Sequence, residues 1–272
     1  MKPLYHLIPL VALLGAALSG CEEVIKPEDR YKPAPIVAER MVLIEEYTGM
    51  DCSNCPAGHA MLRDIEATYN TPDNLERGVG VISVGIHIPQ FGFPVDDGGL
   101  VTPEARTLSN NQTTAPAARV SRRGAVIENT ALWQGEIAKR IIREPLIAFN
   151  PVKLEVSGGN VVISGTINSL NANPIDNATL HVWIVEDDIV AEQLQANGTY
   201  DPNYVHHGVY RASANGLNGE KISIIPRGTH EYKTLPYPLH KNWNPDNLRA
   251  VVFVETEADG VLNSAQSSLI TE

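Results

Sequence analysis

The chain has 272 residues, 32 acidic against 21 basic side chains, a formal charge of −11 and three cysteines. An acidic chain lacks the basic face that phosphate binding needs, which excludes nucleic acid as a partner. The length exceeds one ordinary domain and suits two.

The N-terminus reads MKPLYHLIPLVALLGAALSGC. One Lys, an apolar run from Leu7 to Leu18, and small residues before a cut site make a bacterial export signal over residues 1–20. The run is shorter than the roughly 20 apolar residues of a membrane-spanning helix. Leu18-Ser19-Gly20-Cys21 matches the lipoprotein box, in which Cys21 is acylated and becomes the first mature residue. Each buried acyl methylene contributes about 0.8 kcal/mol, so several chains on Cys21 make a firm membrane anchor. Removal of the signal takes away only Lys2 among charged residues and leaves a mature chain near −12. Cys52 and Cys55 then remain as the only thiols, in a compartment where a disulfide can form.

Residues 21–40 are charged and Pro-rich and read as a lipidated tether. MVLIEEY, from Met41, is a buried strand, and Pro56 to Tyr69 reads as a helix with Pro tolerated in its first turn. VGVISVGIHI, from Val79 to Ile88, is a second strand; strands without alternation belong to sheets covered on both faces. A Gly- and Pro-rich insertion follows. Thr102-Pro103-Glu104 then starts a short helix that ends near Asn110 and Asn111. Ala115-Pro116 leads into a short strand, AARV, and a last helix covers Leu132 to Arg143.

The order over residues 41–147 is strand, CxxC, helix, strand, helix, X-Pro, strand, helix, which is that of a thioredoxin-like α/β domain. A cysteine at a helix N-terminus meets unpaired N–H groups that stabilise its thiolate. On this reading Cys52 is the exposed nucleophile and Cys55 the resolving thiol. Pro116 is placed to be the cis-proline beside the pair. Glu46 is a candidate buried acid that passes a proton to Cys55. Glu45 competes for that role, and one or both could simply face solvent. Two other readings of the pair stand beside redox chemistry. One is an inert disulfide, although the small loop it closes limits its stabilising effect. The other is a metal site with His59 and His87, resembling copper-delivery proteins but with two rather than three residues between the cysteines. No metal or other cofactor is assigned.

From residue 148 to 272 the pattern is short strands and turns. VKLEV, Gly158-Gly159-Asn160 and VVISGTI make a hairpin, and further strand candidates run to the C-terminus. Six to eight strands without a convincing helix predict an all-β, immunoglobulin-like sandwich that lacks any cysteine of its own. His206 and His207 are adjacent, point to opposite faces in a strand, and read as ordinary residues. Trp183 and Trp243 read as core.

Glu45-Glu46-Tyr47-Thr48-Gly49 and Cys52-Ser53-Asn54-Cys55-Pro56-Ala57-Gly58-His59, with the lipobox at Cys21, Ala115-Pro116 and the C-terminal half, resemble the 28-kDa outer-membrane-protein-related lipoproteins of Bacteroidetes. Glu22 and Glu23, directly after the anchor, resemble the surface-export signal of such lipoproteins. The resemblance implies a lipid-anchored outer-membrane protein, on the periplasmic or the cell-surface face, with a thioredoxin-like domain followed by a β-rich one. The expected functions are thiol–disulfide exchange on exported proteins, ligand binding on a redox-type scaffold, or copper handling.

Overall fold

A computed structural model describes residues 39–267. The export signal, Cys21, Glu22, Glu23 and nearly all of the tether lie outside the described residues.

The first half contributes β1 (Met41–Thr48), α1 (Cys55–Tyr69), α2 (Pro72–Glu76), β2 (Gly80–His87), α3 (Ala105–Leu108), β3 (Ala117–Val120) and α4 (Trp133–Ile141). β1 and β2 pair in parallel over their whole length, from Met41 opposite Gly80 to Thr48 opposite His87. Parallel neighbours need a crossover, which α1 and α2 supply. The Asn70 side chain at the end of α1 bonds both the N–H and the C=O of Val81, at 2.7 and 2.9 Å, and ties that crossover to β2. β3 runs antiparallel to β1 on its other side. The helix expected from Thr102 is α3, which starts three residues later, at Ala105, and ends at Leu108, just before Asn110 and Asn111 turn the chain at φ 51° and 58°. The helix expected over residues 132–143 is α4.

The second half contributes β4 (Ile147–Phe149), β5 (Lys153–Ser157), β6 (Asn160–Ser169), β7 (Ile175–Glu186), β8 (Val209–Ser213), β9 (Glu220–Ile224), β10 (Thr229–Lys233), β11 (Leu248–Thr256) and β12 (Gly260–Gln266). The β5–β6 hairpin closes through Gly158 and Gly159, both at positive φ, as a two-residue primed turn requires.

The strands form two main sheets. One has eight strands in the order β12-β11-β7-β8-β2-β1-β3, with β9 also on β7. The other has five, with β4, β5, β10 and the Tyr237–Pro238 strand all on β6. The large sheet draws strands from both halves, joined where Val209 of β8 pairs in parallel with Gly85 of β2. The physical reason lies in β2, whose residues are buried almost throughout. Such a strand leaves unpaired backbone groups at its edge unless a further strand covers it.

One face of the large sheet carries a continuous core from Leu43, Tyr47 and Ile82 to Trp183, Tyr210 and Phe253, with Ala105 of α3 packed into it. On the opposite face of β1 and β2, Leu62 and Ile65 of α1 and Trp133, Ile137 and Ile141 of α4 cover Val42, Ile44 and Val81. Val161, Ile163 and Ile167 of the small sheet cover Leu180, Val182 and Ile184 of β7 and Val252 of β11. The molecule is therefore mostly β, with few helices.

Candidate functional site

β1 ends at Thr48 and the chain turns through residues 49–54 into α1. The Cys52 N–H donates to the Gly49 carbonyl and the Cys55 N–H to the Cys52 carbonyl, each at 3.2 Å. Cys52 and Cys55 are joined as a disulfide, with their Cα atoms 5.4 Å apart. Pro56 occupies the first turn of α1, which begins at Cys55 rather than at Cys52. The unpaired N–H groups and positive dipole end of α1 therefore lie at the pair. Cys52 retains only 3% of its surface, so the exposed nucleophile read from the sequence is covered in this oxidised state.

The two glutamates of β1 alternate between faces and both are buried, so neither points to solvent. Glu45 receives a fork of bonds from Arg122, at 2.8 to 3.1 Å. Arg122 also bonds Glu255 at 3.0 Å and lies over the rings of Trp183 and Phe253. Glu45 is thus committed to an ion-pair network between the two halves. Glu46 faces the other way, toward α1. A Cβ on Gly58, one turn past Cys55, would stand 2.7 Å from Glu46 Oε1 and 2.9 Å from Pro116 Cβ. The Ala115–Pro116 peptide bond is cis. Gly58 is therefore the point where the carboxyl of Glu46, the proline ring and the helix of Cys55 meet.

Burial raises the Glu46 carboxyl well above the usual carboxylate range, with Glu66 adding to the effect and Arg63 opposing it. Its Oε1 has no hydrogen-bond partner. Next to it lies a cavity of about 40 Å³, large enough for a few waters, lined among others by Glu46, His59, His87, Tyr204 and His206. His59 bonds Thr48 Oγ1 through Nε2 at 2.8 Å and the Tyr204 hydroxyl through Nδ1 at 2.7 Å. The His206 ring lies 5.3 Å from that of His87 and 6.2 Å from that of His59. Burial lowers His59 to about 3 and His206 to about 4. Burial, then the charge of His206, sets His87 well below its usual range. At neutral pH the histidines are neutral, and burial shifts Glu46 toward its protonated form. The 3.7 Å approach of His59 Nε2 to Glu46 Oε2 is then not an ion pair. Among the described residues no set of three or more His, Cys, Asp or Glu is arranged to hold a metal ion.

The structure thus sets Glu46 and Pro116 against Gly58, one turn past Cys55 of the disulfide, with His59 beside Glu46 and His87 lining the same cavity. Sequence reasoning missed Gln193, Tyr200, Tyr204 and His206, which reach the site from the connection between β7 and β8. Gln193 Nε2 donates to the carbonyls of Cys52 and Gly49 at 3.0 and 3.2 Å. Tyr200 donates to Asp51 at 2.9 Å. Strand alternation predicts that His206 and His207 face opposite ways. They do, with His206 buried in the site and His207 exposed beside Asp188. No local signal shows which of them turns inward.

Residues 106–272 match the model of the family described as outer membrane protein Omp28. That stretch contains Pro116, Gln193, Tyr204 and His206 and begins after the cysteine pair. No curated protein sequence matches the chain. Among solved structures, HBP35 of Porphyromonas gingivalis is similar in fold, at 15% identity and a TM-score of 0.64, covering 86% of this chain and 77% of that one. A domain of the outer membrane lipoprotein Omp28 from Porphyromonas gingivalis aligns at 16% identity and a TM-score of 0.33, covering 47% of this chain and 90% of that one.

Proposed function

Because the chain belongs to the Omp28 outer membrane protein family, we propose that it is a lipid-anchored envelope protein whose Cys52–Cys55 pair exchanges disulfides with exported proteins. The lipobox at Cys21 supports the anchor. No helix among the described residues is long and apolar enough to cross a membrane. The proposed architecture is a thioredoxin-like unit over residues 41–147, continued by an immunoglobulin-like sandwich over residues 148–272.

One observation carries the chemistry: a disulfide at the N-terminus of a helix, with a buried carboxyl, its pKa raised by burial, and a proline ring meeting one turn behind it. In the exchange, a substrate thiolate attacks Cys52 Sγ. A mixed disulfide forms, the Cys52–Cys55 bond breaks, and Cys55 leaves as a thiolate that takes the proton of Glu46. A second substrate thiolate attacks the substrate sulfur of the mixed disulfide, and Cys52 leaves as a thiolate. The substrate dithiol is oxidised by two electrons and the pair is reduced. The reverse sequence reduces a substrate disulfide.

The test is trapping in the native envelope, with thiols quenched by acid and complexes separated on non-reducing gels. Cys55→Ser removes the resolving thiol and is expected to accumulate mixed disulfides on Cys52, while Cys52→Ser traps almost nothing. Equal, negligible trapping in both variants, with the wild-type pair still oxidised in mild dithiothreitol, sinks the exchange reading. The burial of Cys52 favours a second reading in that event, a binding lipoprotein in which the disulfide is a staple. Copper handling has less support, because both ring nitrogens of His59 are already bonded within the protein.

A further inference from the structure

The 22 residues between β7 and β8, 187–208, form an irregular hairpin held by two short antiparallel ladders. Ile189–Val190 pairs with Val205–His206, and Gln193–Leu194 with Tyr200–Asp201. Its stem is pinned to the large sheet. The Asp187 carboxylate accepts from the Gly208 N–H at 2.6 Å and from Arg249 Nε at 2.7 Å. Asp188 and Gly208, one at each end, both sit at positive φ, 55° and 64°. Beyond the stem the hairpin leaves the second half and lies on the cysteine loop. The Leu194 N–H donates to the Met50 carbonyl at 2.8 Å. Gln193, fully buried, bonds the carbonyls of Gly49 and Cys52; Tyr200 bonds Asp51, and Tyr204 bonds His59. Four consecutive loop residues, Gly49 to Cys52, are therefore each held by this one hairpin.

Thiol–disulfide exchange needs an attacking sulfur to reach Cys52 Sγ, and Cys52 is almost wholly covered. We propose that residues 187–208 are a cap over the disulfide, latched by Gln193, and that its release about Asp188 and Gly208 controls access of an attacking thiolate to Cys52. This rests on the exchange reading for its biological use, but the gate itself is a physical property of the oxidised protein. Gln193 is a positioning residue: it holds the backbone of Cys52 and has no part in bond making. Its carboxamide donates to both carbonyls, so a carboxylate in its place would face two acceptors with no proton to offer.

The test uses the whole chain, oxidised, at neutral pH. Two quantities are read: the exchange rate of the Leu194 amide, which reports docking, and the rate at which dithiothreitol reduces the disulfide. Gln193→Glu, equal in size, is expected to speed both by at least tenfold and to lower the unfolding free energy in urea by only the matching amount, about 1.4 kcal/mol for tenfold. Asp51→Ala removes the Tyr200 contact at the exposed side of the same cap and is expected to move both rates the same way by less. It decides the matter if Gln193→Glu does not fold. Unchanged rates in a folded Gln193→Glu protein, or in Asp51→Ala should the first variant not fold, overturn the cap. Failure of the Cys55→Ser trap with faster reduction in Gln193→Glu leaves the cap standing and removes the exchange reading. Successful trapping with unchanged rates does the reverse.

Discussion

Gly58→Ala pits two effects of opposite sign against each other. Alanine is favoured over glycine in a helix interior by about 1 kcal/mol, so propensity alone predicts a more stable protein. The new methyl group, however, would stand 2.7 Å from Glu46 Oε1 and 2.9 Å from Pro116 Cβ, well inside the 3.5–4.0 Å of an ordinary carbon contact. The carboxyl can swing only within a buried site, and a proline ring hardly yields. Overpacking of this kind costs about 1–3 kcal/mol, which outweighs the propensity gain. The expected result is a net loss of about 1 kcal/mol. For a chain of this size that lowers Tm by about 2–4 °C. Gly135 supplies the control, since it lies in α4 and its added Cβ would meet nothing within 4 Å. Gly135→Ala is expected to raise stability by most of the 1 kcal/mol. The assay is urea and thermal unfolding of the oxidised protein. A Gly58→Ala protein stabilised as much as Gly135→Ala would refute the packing of Glu46 and Pro116 against Gly58.

Stability should fall on acidification from pH 6.5 to pH 4. Folded His59, His87 and His206 bind protons less readily than in the unfolded chain. Each costs up to about 1.4 kcal/mol per pH unit in that window. Glu46 is raised and acts in the opposite direction there, so Glu46→Gln should steepen the loss; a flat urea midpoint from pH 6.5 to 4 contradicts the first expectation, and an unchanged slope in Glu46→Gln the second. Arg122→Met leaves Glu45 buried without its cation and should cost about 3–5 kcal/mol in urea unfolding; a cost below about 1 kcal/mol would mean that the network contributes little. Cys21→Ser should abolish palmitate labelling and release the protein from membranes, and label retained by the variant rules out the anchor.

Local pattern made much of the first half legible. The unalternating apolar runs of β1 and β2 announce a sheet covered on both faces, and Pro56 marks the first turn of α1. The adjacency of Glu45 and Glu46 says that they face opposite ways, but not that both faces are buried, nor which carries Arg122. The join between β8 and β2 is invisible in the sequence because a single pairing, Val209 with Gly85, makes it across more than 120 residues. Gln193, Tyr204 and His206 were illegible for a related reason. They sit in a polar, turn-rich segment with no periodicity, and their roles come from partners some 140 residues away.

That separation has a consequence in time. Cys52 is made 141 residues before Gln193, and a chain appears from its N-terminus at about 5–20 residues per second. During synthesis and export the cysteines emerge first, with no hairpin to lie over them. For that interval they are open to whatever oxidant the envelope holds. The disulfide can therefore form before its cover exists, and the mature protein inherits as a buried bond something made at an open one.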